Sequence, residues 1–149
     1  MSESFNMLEV SNLVTGTVGE PGQRIFFLQA RDTHNLVSLK LEKGQAHALA
    51  SGILEILDDR GDTSDPIRPE DLVEPVMAAW TVASLGIGIE EDADRVHVIV
   101  EELTDDEDDE PATARFGLTF AQARGFAGHA LLLIEHGRDF GRQNGHRPH

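Results

Sequence analysis

The chain has 149 residues, 40% of them hydrophobic, enough to bury one apolar core. Its 27 acidic and 12 basic residues give a formal charge of -15, which repels phosphate backbones and anionic lipid and sets aside broad nucleic-acid or membrane-surface binding. There is no cysteine, so disulfides, thiolate metal sites and thiol nucleophiles are excluded; the opening residues lack a leader pattern and no run approaches the roughly 20 apolar residues of a membrane span, so a soluble, cytoplasmic protein is expected.

The segment from Met7 through Thr15 is β-branched and loosely alternating, which favours a strand. Gly16, Gly19, Pro21 and Gly22 then break it, since glycine permits positive φ and proline fixes φ and lacks a donor; a hairpin-like reversal follows. Arg24 to Arg31 reads as the next strand, with Ile25, Phe27, Gln29 and Arg31 on one face and Phe26, Leu28 and Ala30 on the other. Asp32 to Asn35 reads as a tight turn, and Val37, Leu39 and Leu41 alternate with polar residues in a third strand. From Glu42 to Leu57 the period becomes helical, with an apolar stripe of Ala46, Leu49, Ala50, Ile53, Ile56 and Leu57.

Asp58 to Glu74 has no sustained apolar period, carries Gly61, Pro66 and Pro69, and reads as an acidic linker reaching Pro75, with a short turn near Pro69 to Val73. Trp80 to Ile89 returns to strand composition, Glu90 to Asp94 is a charged turn, and Val96 to Val100 alternates as a further strand. Eight of the ten residues from Glu101 to Glu110 are acidic, so Thr104 to Pro111 is expected to be a mobile loop. Thr113 to Leu118 forms the last strand, Thr119-Phe120-Ala121-Gln122 matches a capping box, and a helix runs from Phe120 to about His136. The remainder, 138–149, reads as a loose tail.

The order is three strands and a helix, a linker, then three strands and a helix. Aligned at the helix starts, Leu41 matches Leu118, Gln45 matches Gln122, Ala46 matches Ala123, Leu49 matches Phe126 and Ala50 matches Ala127. Two amphipathic helices also agree at apolar positions by periodicity alone. The expected fold is α+β: two pseudo-repeated β3α units, about 7–61 and 79–137, in a single domain over 1–137 joined by the linker 58–75, with the helices on one face of a largely antiparallel sheet. Charge is uneven: Glu55 to Glu110 holds 20 acidic and 3 basic residues, a net of -17, and the rest of the chain is about neutral.

Candidate ligand-binding residues cluster in one stretch: Gly16, Gly19 and Gly22 offer backbone N–H groups, and Glu20, Arg24, Gln29 and Arg31 are polar groups able to line a shared pocket. Phosphate loops of the Walker or dinucleotide type lie between a strand and a helix N-terminus, whereas here a strand follows, so a plain turn is the competing reading. No catalytic residue is assigned: no serine sits in a nucleophile elbow. The acidic runs lack the ligand order of a calcium loop, the seven histidines show no metal-ligand spacing, and neither metal nor cofactor is expected.

The stretch Gly16-Thr17-Val18-Gly19-Glu20-Pro21-Gly22-Gln23-Arg24 with Phe26-Phe27-Leu28-Gln29-Ala30-Arg31 resembles the hallmark of an uncharacterised, largely actinobacterial family, domain of unknown function 3090. The resemblance continues through Leu36 to Leu57, Trp80 to Glu102, and Leu118-Thr119-Phe120-Ala121-Gln122-Ala123-Arg124, similar to the family's Leu-Thr-x-x-Gln-Ala-Arg segment. Family members usually end in a cysteine-bearing, zinc-ribbon-like tail; Arg142-Gln143-Asn144-Gly145 is similar to its finish, but the cysteines are absent here, so that zinc site is not carried over. The resemblance implies no settled activity. It does imply association with a phosphoglycerate-mutase-like phosphatase and a kinase-like protein. The function expected is a non-catalytic binding or protein-interaction module in a phosphate-related pathway; the alternative is an enzyme acting on a phosphorylated small molecule through a Gly16 to Arg31 pocket.

Overall fold

The computed structural model describes residues 2–146, with side chains for residues 2–136. In chain order the elements are β1 (Phe5–Met7), β2 (Asn12–Val18), β3 (Ile25–Arg31), β4 (Leu36–Leu41), α1 (Lys43–Asp59), β5 (Ala78–Glu90), β6 (Arg95–Glu102), β7 (Thr113–Thr119) and α2 (Phe120–His146). The strands form one sheet in the order β1-β7-β6-β5-β4-β3-β2. The pairs β2–β3, β3–β4, β5–β6 and β6–β7 are antiparallel; β1–β7 and β4–β5 are parallel.

β1 and β2 lie at opposite ends of that order, yet only residues 8–11 join them. Seven flat strands would hold their outer members about 29 Å apart, whereas four linking residues span at most about 17 Å. The sheet therefore curls until its ends meet. The joint is hydrogen-bonded on both sides: Val10 N–H donates to Gly117 O on the β7 side (3.0 Å), and Ser11 N–H donates to Arg31 O of β3 (2.7 Å). Register places Leu13, Leu28, Ala30, Val37, Leu39, Val96, Val98, Val100, Phe116 and Leu118 on one continuous face, all buried. Ala46, Leu49, Ile53, Ala123, Phe126 and Ala127 of the two helices complete this core.

A strand that changes partners leaves carbonyls exposed at the fork. β5 pairs with β4 only up to Thr81 and with β6 from Val82 onward. At that point Gln45, in the first turn of α1, accepts from Glu42 N–H (2.7 Å) and donates through Nε2 to the carbonyls of Val82 and Ala83 (3.2 Å each). The other fork, where the chain leaves β7 to join β3, is closed in the same manner. Gln122 accepts from Thr119 N–H (2.8 Å), its own N–H donates to Thr119 Oγ1 (3.1 Å), and Nε2 donates to Val10 O (2.9 Å). Each helix therefore starts where a sheet partner is lost.

The segment expected to be a plain acidic linker is instead a strap fixed at several points. Arg124 of α2 donates to Asp62 Oδ2 (2.6 Å), Asp62 O (2.6 Å) and Asp58 Oδ1 (3.0 Å), and Ile67 N–H donates to Ala121 O (3.0 Å). Asn12 then exchanges two bonds with the backbone of Glu70, donating to its O (3.1 Å) and accepting from its N–H (2.9 Å). Gln29 does the same with Val73, at 3.1 and 2.8 Å. Each side-chain amide stands in for a neighbouring strand, so extended backbone lies over the outer face of β2 and β3 with no apolar period of its own.

Three boundaries differ from the sequence reading. The single N-terminal strand is split between β1 and β2 because its halves pair with β7 and β3. Gly16 belongs to β2 and not to the turn; Leu72 of the strap lies over it, and a methyl group there would meet the Leu72 side chain at 2.5 Å. Helix α2 continues to His146, beyond the 138 start of the expected tail, since an established helix adds one hydrogen bond per residue and the next proline is Pro148; residues 147–149 lie outside the described residues. The strap makes one position unusually strict: a Cβ at Gly125 would lie 1.6 Å from Ile67 O. Gly125→Ala is expected to destabilise by about 3 kcal/mol, and Gln122→Ala, which leaves Val10 O without its donor, by roughly 1–3 kcal/mol. Urea unfolding midpoints check both.

Candidate functional site

The seven residues singled out by sequence do not share one pocket. Gly19 and Gly22 adopt positive φ (116° and 87°) in the β2–β3 turn, with Glu20 exposed between them. Gln29 is buried and holds Val73, while Arg31, at the far end of β3, pairs with Glu70 of the strap. Together with Gly16, these two shape the strap. Arg24 stands seven residues from Arg31 along the strand, about 23 Å away, and alternation turns it to the opposite face.

Arg24 meets residues that sequence reasoning did not associate with it. It lines a cavity of about 210 Å³ with Thr17, Gly22, Phe26, Lys43, Leu133 and Ile134. The elements that build it are the β2–β3 turn, the first residue of α1, and α2. Pairing of Thr17 with Phe26 and of Phe26 with Leu41 brings Lys43, two residues beyond Leu41, to this rim. Neither Arg24 nor Lys43 has an ion-pair partner among the described residues, although the chain carries 27 acidic groups. Two cations and a hydroxyl suit a small anion. Lys43 was overlooked because its partner is 19 residues earlier and only strand register unites them.

A second constellation lies on the outer face of β5–β7. Leu8, Gly88, Ile89, Glu90, His97 and Arg115 line a cavity of about 440 Å³. His97 Nε2 lies 2.8 Å from Glu90 Oε1, and Nδ1 is buried with no partner among the described residues. With a hydrogen on Nε2 donated to Glu90, that ring N–H is paired. The pair ties the end of β5 to β6, and the sealed Nδ1 does not reach a bound molecule. Among the described residues no group of three His, Asp or Glu side chains is arranged to hold a metal ion.

A third cavity, about 500 Å³, lies between the strap and α2 and is lined by Pro66, Arg68, Gly128, His129 and Leu132 among others. Burial pushes the His129 pKa down, the nearby Arg68 charge adds to this, and Asp71 opposes it. For Asp62, burial alone would raise the carboxyl pKa, but hydrogen bonds from Arg124 and Ser64 outweigh it and hold the group below its ordinary value.

The sheet and helices define an α+β protein with a seven-stranded, mostly antiparallel sheet, and no helix among the described residues is long and apolar enough to cross a membrane. A family model described as protein of unknown function, DUF3090, matches residues 5–143, and the chain belongs to that family. No curated protein matches it.

The His129 shift fixes a sign. A folded pKa below the unfolded value means that the unfolded chain takes up the proton first, so the contribution is complete above about pH 6.5 and is lost as pH falls through the folded value. Unfolding free energy measured from pH 7.5 to 5 is expected to decline, and His129→Gln to decline less over the same window.

Proposed function

We propose that this protein is a non-catalytic binding module whose ligand is a small phosphorylated or similarly anionic molecule held at the Arg24–Lys43 cavity. The observation that carries this reading is a pair of cations, without ion-pair partners among the described residues, on one cavity of a strongly acidic chain. The alternative, an enzyme built on Gly16 to Arg31, has less support: Glu20, Arg24 and Arg31 face different surroundings, and the His97–Glu90 pair has its free nitrogen sealed. Association with a phosphatase-like and a kinase-like partner belongs to the same reading, the module presenting an anion within a phosphate-related pathway.

We also read the fold as two pseudo-repeated β3α units, about 7–61 and 79–137, in one domain. Gln45 and Gln122, matched in the sequence alignment, support this by closing the two forks alike. On this view the Arg24 cavity has a counterpart at the β5–β6 turn, the start of α2 and the end of α1. There Arg60 lies over the Phe120 ring, 5.6 Å from its centroid, and pairs with Glu91 at 2.6 Å. One half fills the position with its own cation and carboxylate; the other leaves two cations around an open space.

Titration of ¹⁵N-labelled protein with inorganic phosphate and with pyrophosphate tests this. Amide shifts are expected at Thr17 to Arg24 and at Lys43, and the double substitution Arg24→Ala, Lys43→Ala is expected to weaken binding at least tenfold, about two charge-assisted hydrogen bonds being lost. Arg31→Ala, whose exposed ion pair contributes little, should leave affinity within twofold. Equal affinity of the double variant and the parent would refute the assignment.

A further inference from the structure

The two forks leave two strand edges without a sheet partner, and the chain treats them differently. β2, beyond the fork at Val10, has α2 against it and the strap across it, with Asp71, Leu72 and Glu74 beside Val14 to Thr17; Asn12 to Thr15 are all buried. β5, beyond the fork at Val82, has only α1 beside it. Lys40 pairs with Thr81, Gln45 reaches Val82 and Ala83, and a methyl group at Gly52 would touch Ile87 at 2.8 Å, so α1 continues the course of β4 alongside β5. A helix offers no ladder. Among the described residues, no backbone hydrogen bond other than those to β6 reaches Ser84 to Glu90, and none of the residues from Ala83 to Glu90 is buried. Between strand and helix runs a groove of about 410 Å³, narrow-walled because Gly44, Ala48 and Gly86 are small and floored by Leu49, Leu85 and Ile87.

We propose that this groove is an interaction surface that takes an extended peptide of a partner protein, bound as an added strand on the Ser84–Ile89 edge. Unpaired N–H and C=O groups on an edge are satisfied by another extended backbone, and side chains at alternate positions then enter the groove. Charge selects the occupant. Exposed carboxylates of Glu55, Asp92 and Asp94 lie two helical turns beyond Ala48 or just past the end of β5, within the part of the sequence that carries a net -17. A second copy would bring that charge against itself, whereas a peptide with apolar residues alternating with lysine or arginine complements both floor and rim.

A synthetic heptapeptide alternating valine with lysine is the probe, and its partner in the comparison alternates valine with glutamate. With the full chain, the lysine peptide is expected to slow amide hydrogen exchange at Ser84 to Ile89, to bind more weakly as salt rises, and to bind at least tenfold more tightly than the glutamate peptide. Ala48→Trp fills the groove from an exposed helix position and is expected to reduce binding at least tenfold while phosphate titration at Arg24 is unchanged. Should that variant not fold, Gly44→Trp, which enters open space, replaces it. Unchanged exchange at Ser84 to Ile89, equal affinity for the two peptides, or full binding by the tryptophan variant would overturn the proposal. Self-association that protects the same amides would overturn the choice of occupant.

Discussion

The fold depends on closing the sheet without leaving backbone carbonyls stranded. Two strands must each serve two neighbours in succession, and each gives up one partner abruptly. A buried carbonyl left unpaired costs on the order of 1–3 kcal/mol, so the forks are sustainable only because Gln45 and Gln122 cap a helix and a strand at once. The helices begin where the sheet would otherwise fray, and their apolar stripes fall onto the face that the strands have already made apolar.

The same logic gives most residues of the Gln122-Ala123-Arg124 segment and of the Gly16 to Arg31 stretch a structural role. In Gln122-Ala123-Arg124, the glutamine closes a fork, the alanine is fully buried and the arginine clamps the strap through Asp58 and Asp62. Gln29 and Arg31 of β3 hold the strap from the opposite side. An acidic, proline-bearing segment with little apolar surface is thus kept in place over the outer face of β2 and β3 by side-chain amides and two guanidinium groups. What these contacts leave open is the cationic rim at Arg24 and Lys43, and the β5 edge that has no strand partner.

Both open features sit beside α1, on different sides of its first two turns. Lys43 faces the β2–β3 turn, while Gly44 and Ala48 face β5. An anion at the rim and a peptide on the edge would therefore flank a single short stretch of helix, an arrangement suited to a module that reports one ligand to another protein.

Periodicity alone determined the element types, the helix starts, the capping box at Thr119 and Gln122, and the α+β class, because these follow from side-chain spacing along a local backbone. It also brought Gln45 and Gln122 into alignment, without their role. Closure of the sheet, the division of the N-terminal strand, the path of the strap and the meeting of Arg24 with Lys43 were decided only in three dimensions. Each depends on which backbone groups remain unpaired once distant strands are in register, and a side chain such as Asn12 or Gln29 carries no mark in sequence that its partner will be a carbonyl 58 or 44 residues away.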